Sequence, residues 1–271
     1  MIPFINHIPA WAVMWITALT LYATLKLLVW SRASVANAPL WRHIAFLIAW
    51  PGLNATAFLD PRLRPQIPTL REWFVATTEV LVGISMLYCI DETLPLDSPF
   101  LVGWIGLIGF GLSFHFGLFR LLSCFWRSVG AEARPIMDAP FESTSVIEFW
   151  SKRWNTAFRD FTNQFVFRPL ARRWGAPSAL FLTFLFSGIV HELVISLPAG
   201  GGYGRPTEFF LIQSLAAMFE KSRAGRTLRL TRGIRGWCFT SAVVVLPAPL
   251  LFHDQFLRVA VVPFLHALGA I

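Results

Sequence analysis

An all-α, polytopic transmembrane helix bundle is the fold class this sequence predicts, and three observations predict it. The 271 residues are 55% hydrophobic and only 14% charged, where a soluble domain carries roughly 25% charged residues. The mean hydropathy is +0.58. The apolar residues gather into blocks of about 20, the length that crosses a hydrocarbon core, with short basic or Pro/Gly-rich segments between them. These observations predict about seven or eight membrane segments, one of them re-entrant, and a cytoplasmic amphipathic helical segment. A single integral-membrane domain over residues 1–271 holds them all.

The elements follow in order. Ile8 to Trp30 has no basic region before it and no small-residue cleavage site after it, so it is expected to be a retained helix and not a removed signal peptide. Leu40 to Leu59 is apolar but broken by Trp50-Pro51-Gly52, which favours a kinked or re-entrant segment over a straight helix. Further spans are expected at 73–90, 100–123, 177–198, 207–220, 237–252 and 255–270. Cys89, Cys124 and Cys238 all fall in apolar blocks, so no disulfide framework is expected.

Charge sets the expected orientation, because short loops rich in Lys and Arg stay cytoplasmic. Arg32, Arg42, Arg62, Arg64 and Arg71 flank the broken block on both sides. They share one face only if that block dips in and returns. The acidic loop Asp91–Asp97 then falls outside, as does the N-terminus. Segment 124–176 falls inside, as does the stretch from Lys221 to Arg235, which has six basic residues and no acidic one. Arginines facing anionic lipid explain the net charge of +8, and nucleic acid is not needed as a partner.

Two places carry candidate chemistry. From Pro177 to Pro198 only His191 and Glu192 can carry charge, and an ionisable side chain at membrane depth is a functional-site hypothesis by default. Segment 148–161 spaces Phe149, Trp150, Trp154, Phe158 and Phe161 at three- and four-residue intervals. That spacing predicts an amphipathic helix with a wide aromatic face and a basic opposite face. Physics alone reads such a helix first as an interfacial anchor.

Phe149-Trp150-Ser151-Lys152-Arg153-Trp154-Asn155, followed later by Ser187-Gly188-Ile189-Val190-His191-Glu192, resembles the membrane-bound O-acyltransferase (MBOAT) superfamily in its wax synthase-like branch. Ala49-Trp50-Pro51-Gly52, His115-Phe116-Gly117-Leu118-Phe119, Leu251-Phe252-His253 and Val261-Val262-Pro263 fit the same branch. The resemblance covers roughly residues 40–265. It implies transfer of an acyl group from a coenzyme A thioester to a hydroxyl acceptor within the membrane. His191 is then the catalytic histidine, and Asn155 matches the second family position.

That assignment is chemically coherent. A neutral imidazole takes the proton of an alcohol as it attacks the thioester, and an amide donates to the developing oxyanion or orients the acyl group. Glu192 points about 100° around the helix from His191, so an outer role or a structural hydrogen bond suits it better than orienting the histidine.

The partners follow from the same reading. They are acyl-CoA as co-substrate, a lipophilic alcohol as acceptor, and membrane lipid. No permanently bound cofactor and no metal are expected. Anionic coenzyme A must approach from the cytoplasmic face, where Lys152, Arg153 and Arg159 are the candidate phosphate contacts, with Trp154 beside them. His115, Trp150 and Glu192 are candidates for the substrate tunnel. His115 reads first as a core histidine bonded to a backbone carbonyl of a neighbouring helix and second as part of the acceptor path, and Arg120 as a snorkelling arginine.

Other motifs fail. His191-Glu192 lacks the second histidine of a zinc peptidase helix. Gly200-Gly201-Gly202-Tyr203-Gly204 lacks the lysine of a phosphate loop and reads as a turn. Two rival classes remain: a small transporter with His191 as proton relay, and a haem protein ligated by His115 and His191. The latter pair is expected toward opposite faces of the bilayer.

Overall fold

A computed structural model describes residues 8–89 and 98–271, and no strand occurs among the described residues. The acidic loop Asp91–Asp97 lies outside the described residues. The first helix, α1 (Ala10–Ser31), carries one charge, Lys26. That charge is 2% exposed. Its ammonium donates to the carbonyls of Trp50 at 2.7 Å and Gly52 at 2.5 Å and lies 3.5 Å from the centroid of the Phe46 ring.

The acceptors come from the expected break. Helix α2 (Leu40–Ala49) stops before Trp50-Pro51-Gly52, and α3 (Ala55–Leu59) restarts where Asn54 accepts from the Ala57 N–H at 3.1 Å. A Cβ on Gly52 would fall 2.2 Å from the Trp50 indole nitrogen, so only glycine lets the Trp50 ring lie against the chain there. Arg42, near the start of α2, donates to the carbonyls of Phe58 at 3.0 Å and Asp60 at 2.8 Å, around the end of α3. The start of α2 and the end of α3 therefore lie side by side.

A reciprocal capping box between Thr69 and Glu72 starts α4 (Leu70–Tyr88). Helix α5 (Pro99–Ser128) approaches α4 through glycines: a Cβ at Gly83 would lie 2.4 Å from the Ser113 backbone nitrogen, and one at Gly117 would lie 2.5 Å from Val80 Cγ2. Arg127 of α5 pairs with Glu72, and Arg120 with Glu79 at 3.2 Å. Arg120 is thus tied to a neighbouring helix instead of snorkelling. Midway, α5 widens into a π-helical stretch, Gly111–Leu118.

The amphipathic helix expected over 148–161 is not one helix. The short α6 (Val146–Glu148) runs through a π turn, Phe149–Arg153, after which Trp154 is extended and Asn155 is left-handed at φ 40°. Asparagine tolerates that conformation, and its side chain begins the next helix. The aromatic periodicity arises because these rings bury in several directions. Phe149 and Phe161 are core residues, and the Trp150 ring packs against Phe184, Phe209 and Phe210.

The helical stretch Thr156–Ala199 is itself interrupted at Gly175 (φ 78°, ψ 163°). It divides into α7 (156–174) and α8 (176–199). Pro177 sits in the first turn of α8, where its missing N–H costs nothing. Helix α8 ends through a further π stretch, Glu192–Ser196. A glycine loop with positive φ at Gly200, Gly202 and Gly204 returns the chain into α9 (Arg205–Lys221). Helices α8 and α9 form a tight antiparallel pair, in which a Cβ at Gly188 would lie 2.8 Å from Thr207 Cα. Next come α10 (Arg223–Thr227) and α11 (Gly233–Leu251), then α12 (254–267), which contains another π turn, Leu257–Val261.

Helices lie over most of each expected span among the described residues. Among the described residues, four stretches are long and apolar enough to cross a membrane: Ala10–Ser31, Pro99–Ser128, Thr156–Ala199 and Gly233–Leu251. Helices α4, α9 and α12, also expected to span, do not combine that length and hydropathy.

Candidate active site

A cavity of about 1410 Å³ runs between α1, α5, α8, α9, α11 and α12 and is closed on one flank by segment 149–163. Along α8 its wall is a helical stripe from Pro177 through Leu180, Phe184, Ser187 and His191 to Ile195. At 1.5 Å per residue that stripe is about 27 Å long, close to the roughly 30 Å of a hydrocarbon core. Its two ends differ. Lys221 and Ser222, at the close of α9, lie beside the start of α8. Ile195, Trp104, Phe252 and Val261 line the other end and are apolar.

His191 stands on this wall. Its Nδ1 lies 2.7 Å from the Ser187 carbonyl, and a carbonyl only accepts, so Nδ1 carries the proton. The lone pair is then on Nε2. The ring rests on Phe210 with centroids 4.5 Å apart. Upstream hydroxyls complete a ladder along α8: Ser187 donates to the Thr183 carbonyl at 3.0 Å, and Thr183 to the Ala179 carbonyl at 2.7 Å.

Asn155 lines the same cavity. Its Oδ1 accepts from the Phe158 N–H at 3.1 Å and caps α7. Its amide nitrogen is a donor with no acceptor among the described residues. From Asn155 a chain of rings leads back to the histidine. Trp154 lies 6.5 Å from Trp150, Trp150 lies 5.5 Å from Phe210, and Phe210 covers His191. Trp150 is held by its indole N–H, which donates to Gln213 Oε1 at 3.2 Å, and Gln213 donates in turn to the Val243 carbonyl at 2.8 Å.

The remaining candidates separate. Trp150, Trp154, Arg159 and His115 line the cavity, whereas Lys152, Arg153 and Glu192 do not. His115 sits inside the π stretch of α5. It has no hydrogen-bond partner among the described residues and is surrounded by the Phe114 and Phe119 rings at 5.6 and 5.4 Å. The carbonyl partner open to it in the sequence reading is therefore not there. Arg159 carries an ion pair with Asp160 at 2.9 Å.

Arg153 is committed to the protein, pairing with Glu148 at 2.8 Å and Glu142 at 3.6 Å. Burial works against the Glu148 carboxylate, but the Thr144 N–H and Arg153 outweigh it and hold that carboxyl below its usual value. Lys152 is exposed. Glu192 Oε1 accepts from the Gly204 N–H at 3.0 Å, the Thr207 N–H at 3.1 Å and the Thr207 hydroxyl at 2.9 Å. It thereby caps α9 on the side away from the cavity.

Sequence reasoning missed Phe210, Gln213 and Lys221. Gln213 alone left a signal, as a polar amide in an apolar helix. Phe210 is one of many phenylalanines, and Lys221 looked like one more basic loop residue.

Residues 133–212 match the model of the Membrane bound O-acyl transferase family, a stretch that holds both Asn155 and His191. The chain is similar to the long-chain-alcohol O-fatty-acyltransferase of Simmondsia chinensis, at 25% identity over 197 residues that make up 68% of this chain and 55% of that protein. It is similar to the probable long-chain-alcohol O-fatty-acyltransferase 7 of Arabidopsis thaliana, at 26% over 203 residues, 68% and 58% of the two chains. To the acyl-CoA–sterol O-acyltransferase 1 of Arabidopsis thaliana it is 27% identical over 177 residues, 56% and 48%. The chain thus spans about half the length of these relatives.

Proposed function

We propose that this protein is a membrane-embedded O-acyltransferase that moves an acyl group from acyl-CoA to the hydroxyl of a lipophilic alcohol. The observation that carries the reading is His191, with Nδ1 bound to the Ser187 carbonyl and Nε2 left basic, on a cavity also lined by Asn155, whose amide nitrogen has no acceptor among the described residues. The resemblance to long-chain-alcohol and sterol acyltransferases supplies the substrate classes.

The steps balance as follows. His191 Nε2 accepts the proton of the acceptor hydroxyl while its oxygen attacks the thioester carbonyl. The Asn155 amide N–H donates to the oxyanion of the tetrahedral intermediate. Collapse breaks the carbon–sulfur bond, and the thiolate takes the proton from the imidazolium. Ester and free coenzyme A leave, and His191 is neutral again.

The thioester enters at the Lys221 end, which we place on the cytoplasmic side together with the other basic loops. Arg159 and Lys221 are the phosphate contacts in this arrangement. Arg153, occupied by Glu148 and Glu142, holds segment 142–153 together. The Trp50-Pro51-Gly52 hairpin dips into the bilayer and returns, and the N-terminus lies on the opposite side. The acceptor reaches the site through the apolar part of the cavity, past His115.

The test uses membranes carrying the protein, labelled acyl-CoA and a panel of lipophilic alcohols, with ester products measured by mass spectrometry. Wild type forms ester. His191→Ala lowers the rate by roughly 100- to 10,000-fold, the usual span for losing a general base. Retention of about a tenth of the wild-type rate removes His191 from the role of base.

A further inference from the structure

Helix α5 contains five glycines: Gly103, Gly106, Gly109, Gly111 and Gly117. Four of them are explained by packing. A Cβ at Gly106 would lie 2.4 Å from Leu265 Cδ1, at Gly117 2.5 Å from Val80, at Gly103 3.0 Å from Leu257 Cβ, and at Gly109 3.0 Å from the Gly83 carbonyl. Each lets another helix come close. Gly111 is different. A Cβ there meets nothing within 4 Å, yet Gly111 is a wall residue of the central cavity. Its missing side chain therefore leaves space inside the molecule.

That space has a defined position and chemistry. Gly111 begins the π-helical stretch that carries His115 about one turn later. Phe110, next to Gly111 in the chain, packs with Trp15 and Phe264 at centroid distances of 5.6, 5.7 and 5.8 Å within the trio, and all three line the cavity. The open space at Gly111 is a bay in the cavity wall, next to an aromatic stretch of its lining. An unbranched alkyl chain exchanges water for close packing there. Glycine in a helix interior is otherwise unfavourable.

We infer that Gly111 sets how long an alkyl chain the cavity accepts, the bay taking the tail of one of the two substrates. This inference rests on the acyl-transfer reading for its substrates. The same chemistry is offered by the acyl tail of the donor and the tail of the alcohol, and only the substrate whose tail enters the bay responds to a change at Gly111.

The test is a graded series, Gly111→Ala and Gly111→Leu, measured beside wild type. One arm offers a ladder of acyl-CoA chain lengths with one short alcohol, and the other a ladder of alcohols with one short acyl-CoA. Native mass spectrometry of the purified protein with the same fatty alcohols and acyl-CoAs reads bound chain length without any turnover. Each methylene denied burial costs roughly fourfold in affinity. Gly111→Leu is therefore expected to shift the preference for medium over very long chains by about tenfold or more in one arm, with Gly111→Ala shifting the same arm less. The alanine variant fills a single methyl of empty space and favours the helix, so it tests the idea even where the leucine variant does not fold.

Equal chain-length profiles in wild type and both folded variants, in products and in bound species, overturn the role of Gly111. A wild type that makes no ester but whose bound-chain profile shifts in the variants overturns the transfer reading and leaves the bay standing.

Discussion

Asn155 meets three separate demands at one position. It adopts a left-handed backbone, caps α7 through Oδ1, and presents an amide nitrogen to the cavity. The demands are separable by substitution. Asn155→Asp keeps the capping oxygen and tolerates the same backbone, but replaces the donor with an acceptor. It is expected to hold thermal stability while transfer falls by roughly 100- to 1,000-fold. Asn155→Ala loses the cap as well, and is expected to unfold more easily by about 1 kcal/mol. Parallel thermal melts and rate measurements read the difference; an aspartate variant with wild-type turnover leaves Asn155 a purely structural residue. His191 was legible from sequence because a lone ionisable pair in an apolar run is conspicuous. Which ring nitrogen is basic was not legible, because that depends on a carbonyl four residues back being within 2.7 Å.

At the level of elements, the neighbours His191 and Glu192 serve two different helices. Glu192 gathers two N–H groups and one hydroxyl at the start of α9, where a carboxylate is favoured by the unpaired amides of a helix end. Helix α9 carries Phe210 against His191 and Gln213 against Trp150, so Glu192 positions the histidine's surroundings from a distance. Glu192→Ala is expected to destabilise the protein by about 1 kcal/mol by removing the cap of α9, and to lower turnover with it. Glu192→Gln retains a carbonyl oxygen for the same donors and is expected to recover most of both. Were the carboxylate charge coupled directly to His191, the glutamine variant would be as slow as the alanine variant and its pH–rate profile would move. The broken 40–59 block was legible because Pro51 and Gly52 forbid a helix there. The break at Trp154–Asn155 was not, because aromatic spacing imitates a helix whenever rings bury on several sides.

Across the whole molecule, the cavity joins a cationic end to an apolar end over about the thickness of a hydrocarbon core. The sequence placed the basic residues in loops, but it could not say which of them a cavity would reach, because that follows from how α8 and α9 pair. Lys152 and Arg153 lie next to Asn155 in the chain and yet point elsewhere, while Lys221, sixty-six residues beyond Asn155, lines the cavity. An exposed ammonium meeting a phosphate contributes on the order of 0.2–1 kcal/mol. Lys221→Ala is thus expected to raise KM for acyl-CoA by roughly 1.5- to 5-fold, with a smaller change in kcat. Salt screens such contacts over about 10 Å at 0.1 M, so KM of the wild type should rise with ionic strength more steeply than KM of the variant. Lys152→Ala, whose side chain is exposed and outside the cavity, serves as the comparison and should retain the wild-type salt slope. If instead Lys152→Ala flattens the slope and Lys221→Ala does not, coenzyme A approaches across the outside of segment 149–153, and the cationic end of the cavity belongs to another ligand.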